Sequence, residues 1–345
     1  MTPDVRALFD PDPGYLNTAS VGVPPRTALD AMTVVLDGWR RGRLSPPDFD
    51  EAVGRSRRAW AALTGVDPAQ VATGTTVSEF VGVVAAALPD GAQVVVAEGE
   101  FTSVSFPFLA HADRGVVVRE VPLEQLHEVG GPVDLYAVSA VQSADGRLVD
   151  LPALLAAARA RGAQVLLDTT QSCGWLPLDC SQVDYVVCGA YKWLLAPRGT
   201  AFLAVRPDRL DGLRPLAAGW YAGDDPWTSI YGLPLRLAAD ARRLDLSPAW
   251  FCWVGAAESL ELLAGLDLSA VHAHDVGLAD LLLAGLDLPP QGSAIVTADS
   301  PGAAERLAAA GVRAAVRAGR VRLAFHLYSD ERDVDLAVSA LTGRR

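Results

Sequence analysis

The stretch VDYVVCGAYKWLLAPRGTAFLAVRP, residues 183–207, carries two short β-branched, apolar runs joined by a turn, and the turn holds Lys192, the single lysine in a chain of 345 residues. Every other long cation among the 29 Lys+Arg is arginine. Solvated positions accept either residue. An ammonium, unlike a guanidinium, loses its proton when desolvated, and its nitrogen then attacks a carbonyl carbon. Only lysine can form a Schiff base. The alternative is a lysine whose stem lies along an apolar surface, and Lys192 taken alone does not choose between the two.

Working outward, AQVVVAEG (92–99), GVVVREV (115–121), VDLYAVSA (133–140) and AQVLLDTT (163–170) are further short strand-like runs, and ALLAAARARGA (153–163) supplies a helix between two of them. That alternation predicts an α/β fold, a mostly parallel sheet covered by helices on both faces. After TAFLAVRP the pattern changes to loops rich in Trp, Pro and Gly, then helices around 250–287, then SAIVTAD, a short helix, VRAAVRAG, VRLAFHLY and a final helix. The expectation is a large α/β domain over 16–205 and a smaller α/β domain built from 1–15 and 206–345, tightly coupled.

Composition narrows the function. Half of the residues are hydrophobic, enough for a large core. The formal net charge of −12 argues against nucleic acid or an anionic membrane as the main partner. The N-terminal MTPDVRALFDPDPGYLN lacks a signal-peptide pattern, and no apolar run is long enough to span a bilayer, so a cytoplasmic protein is expected. Cys173, Cys180, Cys188 and Cys252 form no C-x-x-C pair and read as small buried residues. In VHAHD (271–275), His272 and His274 lie two apart on a helix and do not face the same way, so no metal is expected and a solvated helix is read instead.

Ligands of open parallel sheets sit beyond the carboxyl ends of the strands. That rule selects Asp168, at the end of QVLLD, Lys192, just beyond VDYVVC, and Ser139 and Gln142 at the end of VDLYAVSA. In QVATGTTVSEFVGVVAAAL, a Gly turn before a helix places Thr75 and Thr76 at a helix N-terminus, which either binds phosphate or is merely capped. An anion site, a strand-end acid and a lone lysine in apolar surroundings together point to pyridoxal 5′-phosphate (PLP). Its aldehyde takes the lysine, its pyridine nitrogen takes a carboxylate, and its phosphate takes N–H and hydroxyl donors. No G-x-G-x-x-G or P-loop fingerprint competes for the site.

Four motifs resemble those of the class V aminotransferases of PLP fold type I, with their cysteine desulfurase, kynureninase and isopenicillin N epimerase-like branches. They are YLNTASVGVPP (15–25), LLDTTQSCGWLPLD (166–179), VVCGAYKWLLAPRGTAFLAV (186–205) and RVRLAFHLYSDERDVDLAVSAL (320–341). The resemblance runs over about residues 15–340 and implies a seven-stranded-type sheet between helices and a homodimer with active sites at the subunit interface. It implies that Lys192 bears the cofactor and moves the substrate α-proton, and that Asp168 pairs with the pyridinium. Gln171 would lie near the phenolic oxygen, Phe101 would stack on the ring, and Thr75, Thr76 and Tyr191 would hold the phosphate. Arg322 matches the clamp on the substrate α-carboxylate, Asn17 is a second position for it, and Ser247 would reach the partner subunit's phosphate.

The implied activity is Cα deprotonation of an amino acid, most simply in an aminotransferase. A C–S or C–C β-lyase or an epimerase stands next, and a non-catalytic scaffold of the same fold is the rival from another class. A persulfide-forming desulfurase is disfavoured, because the only downstream cysteine, Cys252, lies in the apolar run AWFCWVGAAESLELL. Trp220, Tyr221 and Trp227, in GWYAGDDPW, either line a pocket for a bulky substrate or pack a loop at the dimer interface.

Overall fold

The computed structural model describes residues 3–343. A short helix α1 (Pro3–Arg6) and a loop lead to α2 (Arg26–Arg40) and α3 (Asp50–Thr64). The sheet follows: β1 (Val71–Gly74), α4 (Val77–Ala87), β2 (Gln93–Ala97), α5 (Thr102–Leu109), β3 (Val117–Val121), β4 (Leu135–Ser139), α6 (Leu151–Arg161), β5 (Gln164–Asp168), β6 (Tyr185–Gly189) and β7 (Ala201–Val205). The order across its seven strands is β1-β7-β6-β5-β4-β2-β3. All neighbours from β3 to β6 run parallel, while β7 runs antiparallel to both β6 and β1. The expected mostly parallel sheet is therefore present.

The β-branched runs explain the burial. Alternate residues of each strand face opposite ways, so Val95, Val138, Leu167 and Val186 enter one core while Val94, Ala137, Leu166 and Val187 enter the other. Both faces are covered, which is why these strands are apolar throughout rather than alternating. Helix α6 shows how a crossover begins and ends: Asp150 accepts the Ala153 N–H at 3.0 Å, and Gly162, at φ +69°, takes the left-handed turn that closes it.

Beyond the sheet come α7 (Trp250–Ala264), α8 (Leu268–Gly285), β8 (Ile295–Ala298), α9 (Ala303–Ala309), β9 (Ala315–Arg317), β10 (Arg320–Ala324) and α10 (Glu331–Thr342). Helix α7 packs on α2 and α3 and sends Trp253 and Leu260 into the first core. A three-stranded sheet β8-β10-β9 forms a third core with α8, α9, α10 and Leu16. Among the described residues no helix is long and apolar enough to cross a membrane.

A buried ion pair fixes the free edge at β1. Arg57, on α3, meets Asp245 through both guanidinium nitrogens, at 3.2 and 2.6 Å, and Asp245 also accepts the Thr73 N–H at 2.7 Å. Burial pushes the Asp245 carboxyl upward, and the Arg57 contacts counter it. Removing one partner strands a buried charge, so Asp245→Ala is expected to cost about 3–5 kcal/mol in urea denaturation. A loss below about 1 kcal/mol would mean that water reaches the pair.

The structure corrects the reading of VHAHD. It is helical, within α8, but not solvated: Asp275 is fully buried and bonds His326 Nδ1 at 2.7 Å, and His272 stacks on Trp175 at 5.6 Å. Periodicity on α8 could not reveal a buried acid whose partner stands 51 residues later in the chain.

Candidate active site

The carboxyl ends of β1, β2, β4, β5 and β6 lie along one edge of the sheet, with the start of antiparallel β7 beside them. Chain leaving each strand there delivers the polar residues. Asp168 closes β5, and its Oδ1 accepts the Thr170 N–H at 2.8 Å. Lys192 follows β6 in a turn in which the Leu195 N–H donates to the Lys192 carbonyl at 3.1 Å. Leu195 stands at φ +58°, a left-handed conformation that a branched residue adopts at a cost.

The N-terminal loop crosses directly over this turn. The Gly22 N–H donates to the Tyr191 carbonyl at 2.9 Å, and a Cβ at Gly22 would lie 2.0 Å from the Lys192 carbonyl oxygen. Only glycine lets two backbones approach so closely.

Two connected chambers result. The inner one, about 120 Å³, is lined by Thr75, Thr76, Asp168, Gln171 and hydroxyls including Ser78 and Ser103. The outer one, about 490 Å³, opens past Val21, Leu29 and Met32 and is lined by Arg317 and Arg322. Phe101, Ser143, Tyr191, Lys192 and Arg198 line both. Lys192 is thus the hinge of the cavity, only 5 % exposed, with its Nζ 5.2 Å from the Phe101 ring centre and 5.5 Å from that of Tyr191.

Burial sets the electrostatics. It pulls the Lys192 ammonium down to about 8, against the attraction of Asp168 and with help from Arg322. It pushes the Asp168 carboxyl up to about 6, against the Thr170 hydrogen bonds and Lys192. The Tyr191 phenol is also raised by burial, so it stays protonated. Arg322, 1 % exposed, is lowered to about 10 by burial and then by Arg317. It donates to Ser143 and Ser20, its Nε is buried without a partner, and among the described residues no carboxylate pairs with it. A buried guanidinium with spare donors and no acid is a prepared anion site.

Other residues singled out from sequence lie differently. Thr76 caps α4, its Oγ1 accepting the Glu79 N–H at 3.3 Å, and Thr75 Oγ1 donates to Glu79 Oε2 at 2.9 Å. Both hydroxyls remain at the chamber wall. Gln171 joins three elements: its Nε2 donates to the Ala19 carbonyl and to Ser143 Oγ, both at 3.0 Å, and its Oε1 accepts from Trp193 Nε1 at 2.8 Å. Gln142 turns away from the chambers and donates to Glu100 at 3.0 Å. Asn17 lines a separate cavity beside β10, and Ser247 is exposed and outside both chambers of its own chain.

Cys252 is half-buried, not fully so, in the first turn of α7, and its thiol points to the Arg198 carbonyl at 3.3 Å. Trp220 and Trp227 pack together at 4.9 Å, and Tyr221 and Trp227 donate to Asp50 at the start of α3, away from the chambers.

Sequence reasoning passed over Glu100, Ser143, Arg198 and Arg317. Glu100 is buried and accepts from Ser139 Oγ at 2.5 Å and from the Ser139 N–H at 2.8 Å. It stands shortly after β2, so the strand-end rule that found Asp168 would also have found it. Ser143, one residue past Gln142 in the loop after β4, falls under the same rule, whereas Arg317 had no such signal, because it meets the site only through the β9–β10 hairpin.

A family model described as Aminotransferase class-V matches residues 52–308. Isopenicillin N epimerase from Streptomyces clavuligerus is 31% identical over 332 residues, spanning 86% of this chain and 80% of that protein. Kynureninase from Deinococcus radiodurans is 26% identical over 304 residues, 81% of this chain and 72% of that one. Among solved structures, a C-DES variant with glycine covalently linked to its PLP cofactor superposes with a TM-score of 0.88 at 22% identity, over 99% of both chains.

Proposed function

The chain belongs to the class V aminotransferase family of PLP-dependent enzymes, and from that premise we propose that it deprotonates an amino acid at Cα and then expels a β-substituent. The observation that carries the deprotonation is the placement of Lys192, a buried amine at the junction of two chambers, with Asp168 in the inner one and Arg322 in the outer one. The residues present fit the cofactor: a desolvated amine for its aldehyde, a buried carboxyl for its ring nitrogen, and the hydroxyls and helix end at Thr75–Ser78 for its phosphate. When bound, PLP supplies the electron sink that lowers the barrier to breaking the Cα–H bond.

The protein's own residues do the rest. Asp168 holds the proton at the ring nitrogen. Arg322 grips the substrate α-carboxylate through its open donor edge and so sets which Cα bond faces Lys192. Lys192 Nζ takes the α-proton, and its low pKa keeps a useful fraction of free amine near neutrality. Tyr191, held protonated, stands beside Lys192 as a proton donor for a departing β-group. Phe101 covers the cavity and excludes water.

β-Elimination is placed ahead of amino transfer because Tyr191, held protonated and with its ring centre 5.5 Å from Lys192 Nζ, can give a proton to a departing group. Amino transfer and epimerisation remain the other readings, the second because of the 31% likeness to isopenicillin N epimerase over 86% of this chain. Holoenzyme given alanines that bear a good β-leaving group is expected to release pyruvate and ammonia while the cofactor stays an aldehyde. Conversion of the cofactor to its amine form without pyruvate would replace elimination by amino transfer, inversion at Cα without either would replace it by epimerisation, and no change with any amino acid would favour the scaffold. We also propose a homodimer, since α2 exposes Leu29, Val34, Leu36 and Trp39, and Leu29 also lines the outer chamber.

The lowered Lys192 gives a pH prediction. Only the neutral amine captures an aldehyde, and with a pKa of about 8 roughly a tenth of it is neutral at pH 7. Capture of PLP by apo-protein, followed by absorbance, is expected to rise about tenfold from pH 7 to 9 and then level off. A rate still climbing through pH 10 would place Lys192 in water.

A further inference from the structure

The outer chamber is lined by four cations, Lys192, Arg198, Arg317 and Arg322, and by no aspartate or glutamate, in a protein whose formal net charge is −12. Among the described residues none of its three arginines has a carboxylate partner, whereas Arg320, opposite Arg317 on the β9–β10 hairpin, lies 3.9 Å from Asp145. Low-dielectric walls of one sign focus the field on whatever anion enters.

Roles can be divided among the four. Lys192 is committed to the cofactor. Arg198 also lines the inner chamber, where the α4 N-terminus stands, and it belongs to the phosphate end. Arg322 takes the α-carboxylate. Arg317 is left over. Its Nη2 donates to Ser20 Oγ at 3.4 Å, the same oxygen that receives Arg322 Nη2 at 2.9 Å, so two guanidinium groups converge on one hydroxyl. Like charges so placed repel unless an anion lies near both.

The position of Arg317 is not accidental to a floppy loop. Ala318 and Gly319, at φ +47° and +78°, form the two-residue turn with positive φ at both positions that fixes hairpin register. Register in turn fixes which face each side chain takes.

Resting on the function proposed above, we infer that the substrate carries a second carboxylate on its side chain, and that Arg317 reads it while Arg322 holds the α-carboxylate. Arg317 is accordingly a specificity-determining residue. It acts on binding and leaves the proton transfer to Lys192.

Matched acids and amides test this without turnover. Holoenzyme is titrated with glutamate against glutamine, aspartate against asparagine, and 2-aminoadipate against its side-chain amide, reading Kd from the shift of the cofactor's visible band. At least one acid is expected to bind about tenfold or more tighter than its amide. In Arg317→Gln that ratio collapses to within about twofold, whereas in Arg322→Gln both members weaken and the ratio persists. Equal binding of every acid and amide by the unaltered enzyme overturns the inference. So does an Arg317→Gln variant that weakens acid and amide by the same factor, because Arg317 then shares the α-carboxylate. If no amino acid of either kind shifts the band, the proposed function fails first and takes the inference with it.

Discussion

Lys192→Ala is expected to lower turnover by at least about a thousandfold, the scale on which a positioned general base contributes. On the proposed mechanism the variant loses two things at once: the amine that would hold the cofactor and the base that would move the α-proton. Hydride reduction of the holoenzyme, followed by mass spectrometry, should show the cofactor mass on the parent protein and none on the variant. The fold should survive. In the apo-protein the Lys192 pKa is depressed from 10.5 to about 8, so the unfolded chain binds that proton more tightly. The resulting destabilisation is fully present below pH 8, shrinks as pH rises from 8 to 10.5, and amounts to about 3 kcal/mol at neutrality. Removing the amine relieves it, and the small cavity left by the stem offsets part of the gain. Unchanged or raised apo-protein stability at pH 7, together with lost turnover, is the expected pair of results. Turnover within tenfold of the parent would remove Lys192 from the chemistry.

Asp168→Asn carries the second large effect. An amide cannot hold a proton on the ring nitrogen by charge, so turnover is expected to fall by about a hundredfold or more, chiefly in kcat, since the residue touches no substrate group in this reading. Stability moves the opposite way. Burial raises the apo-protein Asp168 carboxyl from 3.8 to about 6, so the folded chain binds its proton more tightly. No penalty exists below pH 3.8; it builds as pH rises to 6 and is complete above, about 3 kcal/mol. Apo Asp168→Asn, which keeps an oxygen for the Thr170 N–H, should therefore be more stable than the parent at pH 7.5 and no more stable near pH 4. Thermal denaturation at the two pH values reads the difference. A variant that is less stable at both would mean that the carboxylate is solvated or paired in the folded state. Stability given up for a poised charge is common at active sites.

How much of this was legible beforehand follows from the range of each interaction. The apolar runs ending at Asp168 and Gly189 specified strands buried on both faces, because side-chain alternation and β-branching are properties of a few consecutive residues. The strand-end rule then placed Asp168 and Lys192 on one edge, since a parallel sheet brings all its carboxyl ends together whatever the loops do. A lone lysine amid arginines was likewise visible in composition.

What lay outside the sequence was every contact made at long separation. That Gln142 serves Glu100, that Asp275 holds His326, that Tyr221 and Trp227 donate to Asp50, and that Arg317 and Arg322 meet on Ser20 depend on segments distant in the chain arriving at one point. The same holds for the pKa values. Lysine and aspartate arrive with ordinary affinities for the proton, and only the packed cavity, by taking water away from both, moves the one down and the other up. Sequence by itself determined which groups could do the chemistry and on which edge of the sheet they would stand. The tertiary structure decided which of them face one another, because hydrogen-bond direction and desolvation are set by neighbours that no local pattern records.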